Sequence, residues 1–101
     1  MSIEECIGKP ALLEQLAEEC TELAQASLKY ARVLRGENPT PVSAGDARME
    51  LIEEMADVLL CIDVASESCG ICETGINLQK TRKKQRWEAR IDRFNREKGE
   101  E

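Results

Sequence analysis

PALLEQLAEECTELAQASLKYARVLRG, residues 10–36, opens on a proline and closes on a glycine. Between them Leu13, Leu16, Ala17, Cys20, Leu23, Ala24, Ser27, Ala31 and Leu34 recur every three or four residues. That period belongs to one face of an α-helix, proline suits a first helical turn and glycine a helix end. The stretch therefore predicts a helix over residues 9–35. Gly36, Asn38, Pro39, Pro41, Ser43 and Gly45 follow and predict a loop of about ten residues. Asp46 reads as the N-cap of a second helix reaching Ser68, with Leu51, Met55, Val58, Leu59, Ile62, Ala65 and Ser66 on its inner stripe. Leu60, Cys61 and Val64 spread apolar character round its other faces, as in a buried helix. Gly70 ends it, and a third helix runs from Glu73, weakened at Gly75, to Lys98. No segment alternates like a strand, so the expected fold is all-α, a bundle of three to four helices.

The chain has 101 residues, enough for one domain, with a core over residues 9–87 and a helical extension and polar tail over 88–101. With three aromatics that core is thin, and long helices with so little bulk imply self-association as a homodimer or homotetramer. Net charge is −6, divided unevenly: residues 1–79 hold 5 basic and 15 acidic side chains, residues 80–101 hold 9 and 5. The acidic body argues against a nucleic-acid partner, since duplex binding rests on neutralising phosphates. A basic helix beside an acidic site suits a ligand that carries both metal and phosphate.

Histidine is absent, which excludes His-based acid–base catalysis, Ser-His-Asp triads and His-ligated zinc. Met-Ser-Ile-Glu-Glu at the start has neither a basic nor an apolar run, and no stretch reaches about 18 apolar residues. The expectation is a soluble, cytoplasmic protein without a membrane partner. Cys6, Cys20, Cys61, Cys69 and Cys72 are an odd number without an export signal, which speaks against a disulfide scaffold. Most read as small core residues. Cys69-Gly70-Ile71-Cys72 has redox CxxC spacing, but such motifs follow a strand, and zinc would need two further ligands from Cys6, Cys20 or Cys61.

Four acids stand out: Glu19 with Glu22 and Glu54 with Asp57. Residues three apart share a helix face, with about 5–6 Å between Cβ atoms. At about 100° per residue, Glu19 and Glu22 lie about 100° and 160° to one side of Cys20, the centre of the first stripe, and Glu54 and Asp57 stand at the same angles from Met55. Antiparallel packing of the two helices can bring the pairs together. Converging carboxylates raise one another's pKa and repel, and a hard, oxygen-only site is relieved by Mg²⁺ or Mn²⁺. The alternative is a solvated acidic face.

Glu18-Glu19-Cys20-Thr21-Glu22 followed by Glu54-Met55-Ala56-Asp57 resembles the paired EExxE and ExxD motifs of the MazG-like, all-α nucleoside triphosphate pyrophosphohydrolase superfamily. The similarity spans residues 11–87. It includes the apolar run Val58 to Val64 and Ser66-Glu67-Ser68-Cys69-Gly70-Ile71 in place of Ala-Asp-x-x-Gly-Ile. The resemblance implies a helical bundle in which Glu19, Glu22, Glu54 and Asp57 bind Mg²⁺ (or Mn²⁺) that holds a nucleoside triphosphate. It also implies release of pyrophosphate to leave a monophosphate. Glu18 and Glu53 are then the candidates for accepting the proton of an attacking water, or they simply pair with Lys or Arg. The family shows a Lys and, four residues on, an Asn on the last helix. Lys80 matches the first and Lys84 replaces the second, with Lys83 and Arg86 close to the same face. An ammonium suits phosphate, whereas an amide also reads a base or sugar. For Lys80, Lys83 and Lys84 the other reading is a solvated basic face, and for Trp87 base stacking competes with interface packing. Thirty-one residues separate Glu22 from Glu54, more than the family usually shows, the excess lying in the Gly36–Gly45 loop. Lys84 also keeps open a catalytically idle nucleotide- or metal-binding regulatory module, beside a plain helical interaction protein.

Overall fold

The computed structural model describes residues 2–37 and 42–99. It holds three helices, α1 (Ile3–Arg35), α2 (Ala44–Cys69) and α3 (Glu73–Gly99), and no strand among the described residues. None of the helices is long and apolar enough to cross a membrane. Asn38, Pro39 and Pro41 of the expected loop lie outside the described residues.

The helix ends follow local chemistry, with corrections. α1 begins at an N-cap on Ser2, whose hydroxyl accepts from the Glu5 N–H at 3.1 Å while the Glu5 carboxylate accepts from the Ser2 N–H at 3.0 Å. This first turn breaks at Gly8, at φ 82° and ψ 164°, and the long run resumes with Pro10. The expected start at residue 9 therefore holds for the main run and misses the capped turn before it. Ser43, not Asp46, caps α2: its hydroxyl accepts from the Asp46 N–H at 3.1 Å. Asp46 sits in the first turn, where its charge complements the helix dipole. Gly45 is thus helical rather than part of a loop. Gly36 and Gly70 end α1 and α2 in the left-handed region, at φ 65° and 68°. Gly75 lies inside α3 without interrupting it.

The chain divides into two compact units, Met1–Gly70 and Ile71–Glu101. The first is a hairpin in which α2 packs on α1. Its core is built from Leu12 and Ala26 of α1 and Ala47, Val58 and Ala65 of α2. Buried and half-buried positions repeat every seven residues: Leu12, Glu19, Ala26 and Val33 on α1, and Leu51, Val58 and Ala65 on α2. A seven-residue repeat is the signature of helices meeting along a shallow seam. Beyond the core, Lys29 Nζ pairs with Glu50 Oε2 across the hairpin at 3.1 Å. The second unit is α3, along which only Ile76 is even half-buried.

On α1 the expected stripe is displaced by one residue from the seam, whereas on α2 Leu51, Val58 and Ala65 of the expected stripe form it. Cys20, expected at the centre of the α1 stripe, is exposed, as are Leu13, Ser27 and Leu34. On α2, Met55 and Leu59, expected inside, are exposed, and so is Leu60 on the helix expected to be buried all round. The small side chains Ala26, Ala47 and Ala65 explain the choice, because helices approach most closely where side chains are short. The bulkier neighbours are left facing outward. Of the thiols expected in the core, Cys61 and Cys69 are half-buried and Cys6, Cys20 and Cys72 are exposed.

Candidate metal centre

Because the seam runs through Glu19 on α1 and past Glu54 between Leu51 and Val58 on α2, two of the four acids expected to flank the stripes stand at the hairpin interface itself. Glu19 and Glu54 are half-buried, whereas Glu22 and Asp57, each three residues on, come out at its edge and are exposed. One carboxylate oxygen from each of Glu19, Glu22 and Glu54 lies within 4.8 Å of the others. Oxygens on opposite sides of an octahedral Mg²⁺ are about 4.2 Å apart, twice a ~2.1 Å bond. Adjacent oxygens on such an ion are closer still, about 3.0 Å apart, so the trio would have to draw in around an ion to become a ligand set. Asp57 is not one of this close trio; it acts on Glu54 as a neighbouring charge.

Two oxygens in the cluster, Glu19 Oε2 and Glu54 Oε2, are shielded from solvent and have no hydrogen-bond partner. The other oxygen of Glu19 accepts from Gln15 Nε2 at 2.8 Å, one turn earlier on α1. Burying a carboxylate oxygen without a partner is unfavourable, and a cation between the acids would satisfy both orphaned atoms. The Glu54 carboxyl is pushed above its ordinary value first by desolvation, then by the charges of Glu22, Asp57 and Glu19, and by a hydrogen bond with Glu22. Next to the trio, the Cys61 thiol is raised by burial and by the charges of Glu19 and Asp57, with a smaller effect of Cys20. A raised pKa favours the neutral thiol over the nucleophilic thiolate.

Glu18 and Glu53 each precede a clustered acid and are turned to solvent, and among the described residues neither makes an ion pair. The expected pairing with Lys or Arg is not formed. Lys80, Lys83 and Lys84 lie on α3, in the unit outside the hairpin, where they share one exposed face with Trp87 and Ile91. At the head of α3, backbone N–H of Gly75, the Thr74 hydroxyl and the Thr74 N–H hold the Cys72 thiol below its ordinary value. Cys72 thus has the helix-start placement of a reactive CxxC thiol, without the preceding strand.

Sequence reasoning missed Gln15 and Lys29. Gln15 stands four residues before Glu19, the spacing at which helical side chains meet, and that signal was available. Lys29 lies seven residues after Glu22 and so on the same edge of α1, but its partner on α2 depends on the hairpin register. No family model, curated protein or solved structure matches the chain.

Proposed function

We propose that this chain is a Mg²⁺-dependent nucleoside triphosphate pyrophosphohydrolase, with Mn²⁺ able to replace Mg²⁺, in line with its resemblance to the MazG-like superfamily. The observation that carries the reading is the trio Glu19, Glu22 and Glu54, with ligand atoms within 4.8 Å and two shielded oxygens lacking partners. These three would hold the ion, with Asp57 beside them as a fourth ligand or a ligand to metal-bound water. When bound, the ion neutralises phosphate oxygens and polarises the phosphorus under attack.

The remaining steps fall to the protein. A water oxygen bonds to the α-phosphorus as the bond to the bridging oxygen breaks, giving a monophosphate and pyrophosphate. Glu18 or Glu53, exposed next to the clustered acids and free of ion pairs among the described residues, accepts the water's proton and passes it to solvent. Gln15 positions Glu19 through its 2.8 Å hydrogen bond. By the family resemblance, Lys80, Lys83 and Lys84 are the candidate phosphate-binding cations. Five free cysteines accord with a reducing, cytoplasmic setting, and the large apolar side chains left uncovered on the hairpin support a homodimer or homotetramer.

Incubating the protein with each standard ribo- and deoxyribonucleoside triphosphate and Mg²⁺ tests the reading. Pyrophosphate should be released from at least one of them and lost in Glu54→Gln. No release from any would overturn the enzyme in favour of a second reading, a catalytically idle nucleotide- or metal-binding module, which Lys84 in place of the family's Asn favours.

A further inference from the structure

α3 sorts its charges by side. Counting about 100° per residue from Trp87, Lys80, Lys83, Lys84 and Arg90 stand within about 60° of the indole, and Arg86, Arg93 and Arg82 follow at about 100°, 120° and 140° to one side. Ile91 and Phe94 lie in the same arc, among the cations. Over residues 80–94 that arc of about 200° holds all seven basic side chains and neither of the two acids. Glu88 and Asp92 stand on the other side of the helix, with Thr81, Gln85 and Ala89. The whole arc is exposed, and among the described residues none of its cations forms an ion pair. Trp87 and Phe94 are 66% and 62% exposed. Trp87 and Ile91 share a groove with Lys80, Lys83 and Lys84, which reaches Thr81 and Glu88 at the edge of the arc.

We infer that this arc binds single-stranded nucleic acid, its cations on the phosphates and its rings, Trp87 and Phe94, stacked on bases. Seven cations along about 21 Å of helix match a polyanion. Two rings about 10 Å apart in the same arc match one that carries flat apolar surfaces between its charges. A single strand alternates phosphates with unpaired bases in this way. A duplex hides those base faces inside its stack, and the acidic body disfavours it as a partner. A helix lying on an anionic membrane separates its apolar face from its charges. On α3, Lys80, Lys83 and Lys84 instead occupy the middle of the apolar stripe, between Ile76 and Trp87. A mononucleotide covers only part of a surface this long, and strand binding needs no metal. Cations and stacked rings read neither base edges nor the 2′-hydroxyl, so binding is indifferent to sequence and sugar.

As the chain's one tryptophan, Trp87 reports occupancy of the arc directly. Titrating the full chain with an oligothymidylate of about 12 nucleotides, metal-free and at about 50 mM salt, should quench its fluorescence with micromolar affinity. Log Kd should rise with log salt at a slope of about 3–5, since each phosphate neutralised on a single strand contributes about 0.7. Arg90→Glu should weaken binding at least about tenfold and flatten that slope by about 1, whereas Arg96→Glu, on the far side of α3, should weaken it less than about threefold. Trp87→Leu, read by anisotropy of a labelled oligonucleotide, should cost at least about fivefold. Each variant should keep the helical circular dichroism of the wild type. Absence of quenching overturns the proposal, and so do equal effects of Arg90→Glu and Arg96→Glu. Equally tight binding of a duplex of the same length overturns the single strand. Quenching by thymidine triphosphate at the same concentration, as strong as by the oligonucleotide, reduces the arc to a mononucleotide site and overturns the strand too. A blue shift of Trp87 on phosphatidylserine vesicles without oligonucleotide binding overturns it in favour of a membrane surface.

Discussion

The hairpin and α3 are both long helical stretches, but they are held by different means. Residues 1–79 carry 15 acids against 5 bases, and the hairpin within them buries a core and concentrates carboxylates at its own interface. α3 has no buried residue, and its charge is predominantly basic. At 27 residues it exceeds the roughly 12–15 needed for an isolated helix to persist in water. The difference teaches that charge here follows structural role: carboxylates gather where α1 and α2 pack, and the basic side chains lie along a helix with no buried residue.

The sharpest way to break this contrast is at the carboxylates. The Glu19→Gln, Glu54→Gln double variant should lose Mn²⁺ binding in a calorimetric titration and lower pyrophosphate release by about 10²–10³-fold, the scale of removing a main electrostatic group from a site. Binding that survives would make the acids bystanders. Packing comes next. Leu12→Ala should destabilise the hairpin by about 2–3 kcal/mol in urea unfolding, while Leu78→Ala on α3, half-exposed, should stay within ~0.5 kcal/mol. Equal losses would mean that the two units share one core.

Metal and pH sharpen the comparison further. The Glu54 pKa is raised in the folded state, so folding favours its protonated form. In metal-free protein that stabilisation is full below the unfolded value, near 4.5, and is lost as pH rises through the folded value. The melting temperature of metal-free protein should therefore fall over that window, and the dependence should flatten in Glu54→Gln. At pH 7, Mg²⁺ or Mn²⁺ at a hundredfold excess over Kd should restore about 2.7 kcal/mol, while in acid the ion must compete with the proton on Glu54. Stabilisation by metal that grows on acidification would contradict this. The smallest effect is expected on α3: Lys84→Asn should change KM for the nucleotide by a few-fold and leave Mn²⁺ affinity alone. An unchanged KM would place Lys84 off the ligand.

Much of the fold was legible because the signals are local. Pro10, Gly36 and Gly70 punctuate the helices through their own backbone restrictions, and the three-to-four spacing of apolar residues does not depend on a partner. The pairs Glu19 with Glu22 and Glu54 with Asp57 were legible for the same reason, since i, i+3 residues share a face whatever surrounds them, whereas the close approach of Glu19, Glu22 and Glu54 without Asp57 depends on how the helices pack. Asp46 was misread as a cap because Ser43, three residues upstream, offers an oxygen of equal quality to the same helix start. Cys20 and Met55 were misread as the inner line because α1 and α2 each carry two adjacent apolar seams, and periodicity cannot say which of them meets the other helix first.

By itself the chain determined three helices, their approximate limits, a split between acidic and basic halves, and four acids in two helical pairs. Only the tertiary structure decided which seam closes the hairpin. That choice sets Glu19 and Glu54 at the interface with two shielded oxygens, joins Lys29 to Glu50, and leaves Leu13, Cys20, Leu34 and Leu59 outside. The reason is steric: Ala26, Ala47 and Ala65 let the helices approach on one line, and the relative size of facing side chains is a property of the pair, invisible along either helix alone.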